Sequence, residues 1–323
     1  MPGDLLQAGS TDLRQLIKNQ HGMICPRDQT HLTDIGTRLR SLLKKGVLTR
    51  LERGVYIPSI SLAGIEDWEH YRYRSLALGH HHGKILGGLS AAAVHGLWLV
   101  DSAPSELEFY RPHGDRVGRG LGYRQLHGRL PPQHVSEIAG IRVTSIARTI
   151  VDLGRYHGFS AAFVALSAAL AHNKCNRSDV LRITEKLNLH GTKELPRILE
   201  RAAGNLDSAL EAIFHAQVVY YGDFDVIPQL RVVVDGRTYF LDFAVKGTHE
   251  SVECDGMEKY GQSPAEQKNK LRKQKRRADD LTRTGITSNH FTYREVVTGH
   301  AYRTMLRRLG LPDRPNLPAI YLP

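Results

Sequence analysis

The sequence predicts a protein of the α/β class, an α+β chain built from several domains. Its 323 residues exceed one ordinary core, because domains average roughly 150 residues. Helical and strand-like hydrophobic spacings also succeed one another along the chain. We therefore predict three regions, residues 1–58, 59–204 and 205–312, followed by a Pro-rich tail at residues 313–323.

The first region has the pattern of three helices followed by a short hairpin. Leu13, Leu16 and Ile17 lie at helical spacing and predict the first helix. Pro26 can open a short second helix, and the amphipathic stretch 33–45 predicts a third. The run "VLTRLERGVYIP" then predicts strand, turn and strand. This order of elements is that of a winged helix-turn-helix.

In that fold one helix enters the major groove of DNA, while the wing contacts phosphates. Basic residues lie on the predicted third helix and on the hairpin. The predicted DNA-binding residues are Arg38, Arg40, Lys44, Lys45, Arg50 and Arg53. The alternative is a small helical domain whose basic face is only solvated.

The middle region, residues 59–204, alternates helical stretches with short strands such as "SELEFYRP" and "GIRVTSIA" and predicts a mixed α/β domain. In the last region a helix precedes a hairpin, whose type I′ turn is predicted by Asp235-Gly236. A third strand, "HESVECDG", a highly charged helix, a further strand and a final helix complete the prediction.

The net charge of +11 and the pI near 9.6 indicate an anionic partner, of which nucleic acid is the usual one. A generally basic protein without such a partner is the alternative. The N-terminus lacks the pattern of a signal peptide, and no apolar run reaches the roughly 18 residues that span a membrane. We therefore expect a cytoplasmic protein without membrane contact.

Two strand-like runs of the last region each contain acids, which strand interiors disfavour. The short loop at residues 246–250 would pair these strands antiparallel, so Asp242 and Glu253 would face the same way. Glu211, on the preceding helix, is a third acid. Close carboxylates repel unless a cation lies between them, and Mg²⁺ binds one or two carboxylates together with substrate phosphate. The pattern predicts a magnesium site for phosphodiester cleavage.

Other signals are weaker. The three cysteines are isolated and form no CxxC pair, so we expect core residues rather than metal ligands. The consecutive residues His80, His81 and His82 cannot all face one metal ion, so we expect a loop or a helix end there.

The stretch "LIKNQHGMICPRDQ…RLRSLLKKGVLTRLERGVYIP" resembles the N-terminal winged helix of AbiEi-type antitoxins. "LSAAAVHGL" (Leu89 to Leu97) and "IRVTSIARTIVDL" (Ile141 to Leu153) resemble segments that follow it in relatives. The resemblance covers roughly the first half of the chain. It implies a DNA-binding, autorepressing partner of a nucleotidyltransferase-type toxin.

The stretch from Asp207 to Leu309 resembles the PD-(D/E)XK restriction-endonuclease-like fold, in particular its very-short-patch-repair-like branch. That pattern has a helix Glu, a strand Asp and then Glu-x-Asp-Gly-x-x-His. This chain supplies Glu211, Asp242 and Glu253 in those positions. The resemblance implies that they hold the metal and take part in catalysis. The later basic helix adds the predicted DNA-binding residues Lys268, Arg272 and Arg277.

The chain departs from that pattern at three positions. Asp255 stands where the general pattern has Lys, Lys259 where the branch has His, and His290 where relatives have Arg. Because a cation is still needed to stabilise the phosphate, we expect Lys259 to supply it and to be catalytic. The leading hypothesis is a DNA-binding protein of AbiEi-antitoxin type fused to a Mg²⁺-dependent endonuclease domain. The alternative is a non-enzymatic repressor or antitoxin whose nuclease-like domain only binds DNA or a partner.

Overall fold

The computed structural model of the protein describes residues 13–110, 122–187, 190–256 and 264–314. The fold is α+β, with helices and three sheets, as the sequence predicts. The chain divides into two compact units. The first contains residues 1–96 and 101–149, and the second contains residues 97–100 and 150–323. No helix in the described ranges has both the length and the apolar composition that crossing a membrane requires.

The first unit begins with the elements expected of a winged helix. A 3₁₀ turn, Pro26–Asp28, precedes helix α1, Ile35–Lys44. Strands β1, Leu48–Glu52, and β2, Val55–Pro58, then pair antiparallel. A small apolar core holds these elements together. Its buried members are Leu16, Ile24, Leu39, Leu42 and Leu48.

The helix predicted around Leu16 and Ile17 is wrong over most of its length. Among the described residues at this end of the chain, only Leu13 and Arg14 are helical. The buried Gln29 side chain accepts a hydrogen bond from the Ile17 amide at 2.8 Å and donates to the Ile17 carbonyl at 2.7 Å. These bonds occupy the backbone groups that a helix would need.

The rest of the first unit is built on a five-stranded sheet of order β5-β4-β3-β7-β6. Pairing is antiparallel between β3 and β4 and between β6 and β7, and parallel elsewhere. The bounds of its elements are α2 Asp67–His82, β3 Ile85–Leu86, α3 Gly88–His95, β4 Leu107–Tyr110, β5 Tyr123–Leu126, β6 Val135–Ile138 and β7 Ile141–Thr144.

Helices dominate the start of the second unit. Helix α4, Ile146–Ala171, begins in the first unit and is kinked at Gly158, whose backbone is not helical (φ 82°, ψ −168°). Helices α5, Arg177–Leu187, and α6, Leu195–Arg201, follow.

A four-stranded sheet of order β11-β10-β9-β8 forms the rest of the second unit. Strands β8, β9 and β10 pair antiparallel, and β11 lies parallel to β10. The bounds are α7 Ala209–Tyr221, β8 Val226–Val234, β9 Arg237–Val245, β10 Glu250–Asp255, α8 Pro264–Arg283, β11 Thr287–Thr292, α9 Tyr293–Val297 and α10 His300–Arg308.

The predicted element order of this region is confirmed, with one exception. Both Asp235 and Gly236 have positive φ angles, 48° and 76°, as a type I′ turn requires. The predicted final helix is instead two short helices, α9 and α10. They are separated at Gly299, whose left-handed backbone (φ 71°) interrupts the helical path.

The core of the second unit lies between the four-stranded sheet and the helices α7, α9 and α10. Phe214 of α7, Phe243 of β9 and Val252 of β10 are buried there with Tyr302 of α10. His215 lies within this apolar surround, with its ring 5.2 Å from that of Phe163 and 5.7 Å from that of Phe243.

The buried His215 makes folding depend on pH. Burial lowers the pKa of His215 to about 4, so the folded protein holds the neutral imidazole while the unfolded chain takes up a proton below its ordinary pKa of 6.5. The free energy of unfolding should therefore fall as pH drops from about 6.5 to 4, by on the order of 3 kcal/mol. Urea unfolding of His215→Leu at several pH values should show a flatter dependence, whereas the exposed-site variant His249→Leu should match the wild type. Equal slopes in all three proteins would contradict this account.

Candidate nucleic-acid interface and acidic site

Helix α1 presents its basic side chains to solvent. Leu39 and Leu42 face the small core, so the intervening positions face outward. Arg40, Lys44 and Lys45 are exposed, as predicted. These cations are available to an anionic partner.

Arg38 is held more firmly than the other predicted DNA-binding residues of the helix. Its Nε lies 2.9 Å from Asp34 Oδ1, in an i,i+4 ion pair, and its Nη1 donates to the side chain of Gln15. The pair is exposed and contributes at most a fraction of a kcal/mol, so DNA phosphate can compete for the guanidinium.

The hairpin β1–β2 carries the other two predicted DNA-binding residues. Arg50 lies across from Tyr56 in the hairpin register, and Arg53 is in the turn before Gly54, whose φ is 74°. Both arginines are exposed. The hairpin therefore has the shape and charge of a wing.

A buried carboxylate anchors this wing to the neighbouring sheet domain. Glu52 is 6% exposed, and Arg74 of α2 donates to its Oε1 at 3.3 Å. Tyr123 of β5 donates its hydroxyl to Oε2 of the same residue. Burial, and next the Glu52 hydrogen bond, raises the pKa of Tyr123 to about 12, so the phenol remains a donor at physiological pH.

The acidic site is formed where β9 and β10 lie side by side. Val252 pairs with Phe243, and the same register continued by one residue sets Glu253 across from Asp242. Directly opposed side chains share a face, so both acids face away from the core that Phe243 and Val252 enter. Asp242 Oδ2 accepts the Cys254 amide proton at 2.8 Å, which fixes one carboxylate oxygen.

Glu253 is the most perturbed carboxyl group of the site. Its residue is 4% exposed, and burial raises its pKa to about 7. Arg277 of α8 donates to its Oε2 at 2.6 Å and opposes that rise, whereas the charge of Asp242 adds to it. Its other oxygen, Oε1, is buried and has no hydrogen-bond partner among the described residues. A buried acceptor without a donor is costly and is suited to a cation.

Glu211 is buried in the first turn of α7, where its carboxylate also accepts hydrogen bonds from groups at the amino-terminal end of the helix. Its Oε2 accepts from the Asp207 amide at 3.0 Å and from Gln229 Nε2 at 2.9 Å. Its Oε1 accepts from the Ser208 hydroxyl at 2.7 Å, and Ser208 in turn accepts from the Glu211 amide. Burial raises the pKa of Glu211, and the charge of Asp242 contributes.

Two observations describe the extent of the cluster. The pKa of the Cys254 thiol is raised well above its usual range, first by burial and then by the charges of Asp242, Glu211, Glu253 and Asp255. The charges of all four carboxyls thus act on the Cys254 thiol. Within the described ranges, however, no three of them bring ligand atoms within 4.8 Å of one another.

Of the four acids, Asp255 is the outermost. Its Oδ2 lies 3.1 Å from His290 Nδ1, and both side chains are more than half exposed. Two of the three positions at which the chain departs from the resembled pattern, Asp255 and His290, are thus direct partners.

The structure describes the side chains of only some of the cations predicted for the last region. Lys259 lies outside the described residues, as does the side chain of Lys268. Arg272 is exposed and lines a groove of about 710 Å³ between α8 and the β8–β9 hairpin. The other basic residues of that groove are Arg237, Lys275, Arg276 and Arg283.

Sequence reasoning missed the partnership of Arg277 with Glu253. Arg277 was assigned to a phosphate-binding helix surface, but its guanidinium also donates to the Phe240 carbonyl at 2.7 Å and so lies against β9. The capping role of Glu211 did have a sequence signal, because Ser208 followed three residues later by Glu is a helix-start pattern.

Comparison with known proteins finds a family model that matches part of the chain. Residues 85–201 match the family model of the AbiEi antitoxin C-terminal domain. The matched stretch runs from β3 to α6 and includes both segments, Leu89 to Leu97 and Ile141 to Leu153, in which a resemblance was expected. It includes neither the winged helix nor the acidic site.

The chain is similar to the solved structure of the RV2827C protein from Mycobacterium tuberculosis. The similarity covers 69% of this chain and 82% of that chain, with 16% sequence identity and a TM-score of 0.40. None of the curated proteins matches the chain.

The wing anchor can be tested by its contribution to stability. Glu52→Gln removes the charge that Arg74 and Tyr123 share and should lower the free energy of unfolding by about 1–3 kcal/mol. Guanidinium unfolding measures this difference. Glu66→Gln, at an exposed position before α2, is the matched control and should change stability little. Equal stability of the two variants would show that Glu52 does not anchor the wing.

Proposed function

We propose that this protein binds duplex DNA through its winged helix and cleaves phosphodiesters at the acidic site with a divalent cation. The observation that carries the nuclease proposal is the buried, unpartnered Glu253 Oε1 on the strand beside Asp242. An antitoxin role, with a nucleotidyltransferase-type toxin as partner, is supported by the match over residues 85–201 and by the resemblance of the first half of the chain.

DNA binding is supported by the exposed cations of α1 and of the wing. Three exposed cations lie on α1 or directly after it, namely Arg40, Lys44 and Lys45. Two more lie on the hairpin that follows, namely Arg50 and Arg53. A helix with basic side chains suits the major groove, and a basic hairpin suits the flanking phosphates. The net charge of +11 agrees with an anionic partner.

The residues of the acidic site fit a hard divalent cation such as Mg²⁺. Asp242 and Glu253 offer carboxylate oxygens, and neutralisation by a cation would remove the cost of burying two like charges. A bound Mg²⁺ supplies Lewis-acid stabilisation of a phosphodiester and lowers the pKa of bound water. Glu211 has both oxygens engaged in hydrogen bonds and would assist by holding the end of α7 beside the pair.

In this proposal Arg277 provides the positive charge that the resembled pattern assigns to a lysine. Its guanidinium is already 2.6 Å from Glu253 Oε2 and is about one-third exposed. It has further N–H groups to donate to a phosphate oxygen while it holds Glu253 in place. Lys259 remains the other proposed cation, outside the described residues.

A non-enzymatic regulator is the second candidate, favoured by the same ion pair. Arg277 pairs with Glu253 without any metal, so the site can persist as a structural salt bridge. In such a protein the C-terminal unit would bind DNA or a partner, for instance through the basic groove beside α8.

Charge reversal tests the DNA interface. The double variant Lys44→Glu, Arg53→Glu should weaken binding to a duplex by about tenfold or more, and it should reduce the slope of log K against log salt, because phosphate contacts are lost. Fluorescence anisotropy at several salt concentrations measures both quantities. Lys186→Glu, at an exposed position of α5, carries the same kind of change elsewhere and should bind nearly as the wild type does. If the double variant bound as tightly as this control, the winged helix would not be the interface.

Cleavage of supercoiled and linear DNA with Mg²⁺ or Mn²⁺ tests the acidic site. Asp242→Asn and Glu253→Gln should both abolish cleavage and retain DNA binding, with folding checked by circular dichroism. Asp279→Asn, at an exposed position of α8, should cut as the wild type does. A wild type that binds DNA and never cuts it would leave the regulator as the function.

The pH profile adds a second readout to that experiment. Because Glu253 has a pKa of about 7 and must lose its proton to bind a cation, cleavage should rise as pH increases through about 7. Arg277→Ala removes both the proposed phosphate-binding cation and the charge that lowers this pKa, so cleavage should be slower and the midpoint of the remaining activity should move to higher pH. Its exposed neighbour supplies the control, Arg276→Ala, which should leave the midpoint in place.

A further inference from the structure

The 3₁₀ turn before α1 places two metal-ligating side chains together. Cys25 and Asp28 flank the turn three residues apart, and residues at i and i+3 of a 3₁₀ turn lie on the same side. The turn is closed by the Asp28 amide, which donates to the Cys25 carbonyl at 3.1 Å. Gln29, almost completely buried, donates to the same carbonyl at 3.4 Å.

The last turn of α2 brings a third donor to this point. Arg27 Nη2 donates to the His80 carbonyl at 2.8 Å and so holds the end of α2 against the turn. His80 Nε2 lies 4.0 Å from Asp28 Oδ2, while the other oxygen, Oδ1, is turned toward Arg27 at 3.6 Å. Ligand atoms of Cys25, Asp28 and His80 all lie within 4.8 Å of one another.

The Cys25 thiol and the Asp28 carboxylate interact with each other, but one nitrogen of the cluster lacks a partner. His80 Nε2 is buried and has no hydrogen-bond partner among the described residues. Cys25 is fully buried, and its thiol is a weak donor and acceptor. Buried ring nitrogens are normally hydrogen-bonded, so an unpartnered one beside a thiol and a carboxylate suggests a ligand.

We propose that Cys25, Asp28 and His80 form a binding site for a transition-metal ion, of which Zn²⁺ best fits the donor set. Zn²⁺ takes cysteine sulfur, histidine nitrogen and carboxylate oxygen, usually four donors in a tetrahedron. A thiolate and a carboxylate balance its two positive charges, with neutral imidazole as the third donor. On binding, the Cys25 S–H bond breaks, its proton goes to solvent, and the sulfur electron pair forms the bond to the metal.

Three protein donors, Cys25, Asp28 and His80, would leave the fourth position of a tetrahedral ion to a water molecule.

The site joins two parts of the first unit that are far apart in sequence. Cys25 and Asp28 lie just before α1, whereas His80 lies in the last turn of α2. A metal ion here would brace the winged helix on the sheet domain. Because the donors belong to the first unit, the proposal does not depend on the acidic site of the second.

Cobalt substitution of the full-length protein tests the proposal. Co²⁺ added to chelator-treated protein should give a thiolate charge-transfer band and the intense visible bands of a tetrahedral site, at one equivalent, and Zn²⁺ should displace it. Cys25→Ser should lose the charge-transfer band, and His80→Ala should weaken binding by about tenfold or more. Cys175→Ser, a partly buried thiol of the other unit, is the control and should behave as the wild type does.

Thermal unfolding supplies a readout that works if Cys25→Ser folds poorly. Zn²⁺ should raise the melting temperature of the wild type and of Cys175→Ser, and should have a smaller effect on His80→Ala, which lies at a helix end. Absence of a charge-transfer band in the wild type would overturn the proposal, as would a band that survives in Cys25→Ser or disappears in Cys175→Ser.

Discussion

The antiparallel register between β9 and β10 is the constraint on which the second unit depends. Side chains alternate along a strand, so a slip of one residue would exchange the two faces of both strands. Phe243 and Val252 would then leave the core, and Asp242 and Glu253 would enter it. Burial of a large apolar side chain is favourable by roughly 1.5–3 kcal/mol, and burial of an unpaired charge is prohibitive. Burial of the apolar side chains and exclusion of the charged ones both favour the observed register. That register places Asp242 and Glu253 side by side.

At the acidic site the fold buries carboxyl groups, although burial disfavours their charged forms. The pKa values of Asp242, Glu253 and Glu211 are all raised, chiefly by burial. Arg277 lowers the pKa of Glu253 but leaves it near 7, so its single charge does not offset the desolvation of the carboxylate. Carboxyl groups with raised pKa values next to one another are typical of functional sites, although structural ion-pair networks perturb pKa values too. The arrangement suits a site that is completed by a cation or that holds a proton near neutral pH.

Sequence reasoning succeeded where the deciding interactions are local. The turn at Asp235-Gly236 and the apolar runs beside it specify the hairpin β8–β9, and a short loop forces β10 to return beside β9. It failed at Ile17, because the side chain that occupies its backbone comes from Gln29, twelve residues later.

The parts of the candidate sites that were missed depend on tertiary packing. Nothing in the sequence pairs Arg277 with Glu253, 24 positions away, or brings His80 to Cys25. Spacing rules describe neighbours on one element, whereas these contacts arise only when two elements pack.

The burial of Glu52 determines how far the winged helix can be separated from the rest of the first unit. A winged helix is often treated as a domain that can be separated from its neighbours. Here, however, Glu52 of the wing accepts hydrogen bonds from Arg74 and Tyr123, both beyond residue 58. A fragment that ended at residue 58 would keep the Glu52 carboxylate but lose both of its hydrogen-bond donors. A winged helix transferred to another protein would therefore need α2 and β5, which supply these contacts.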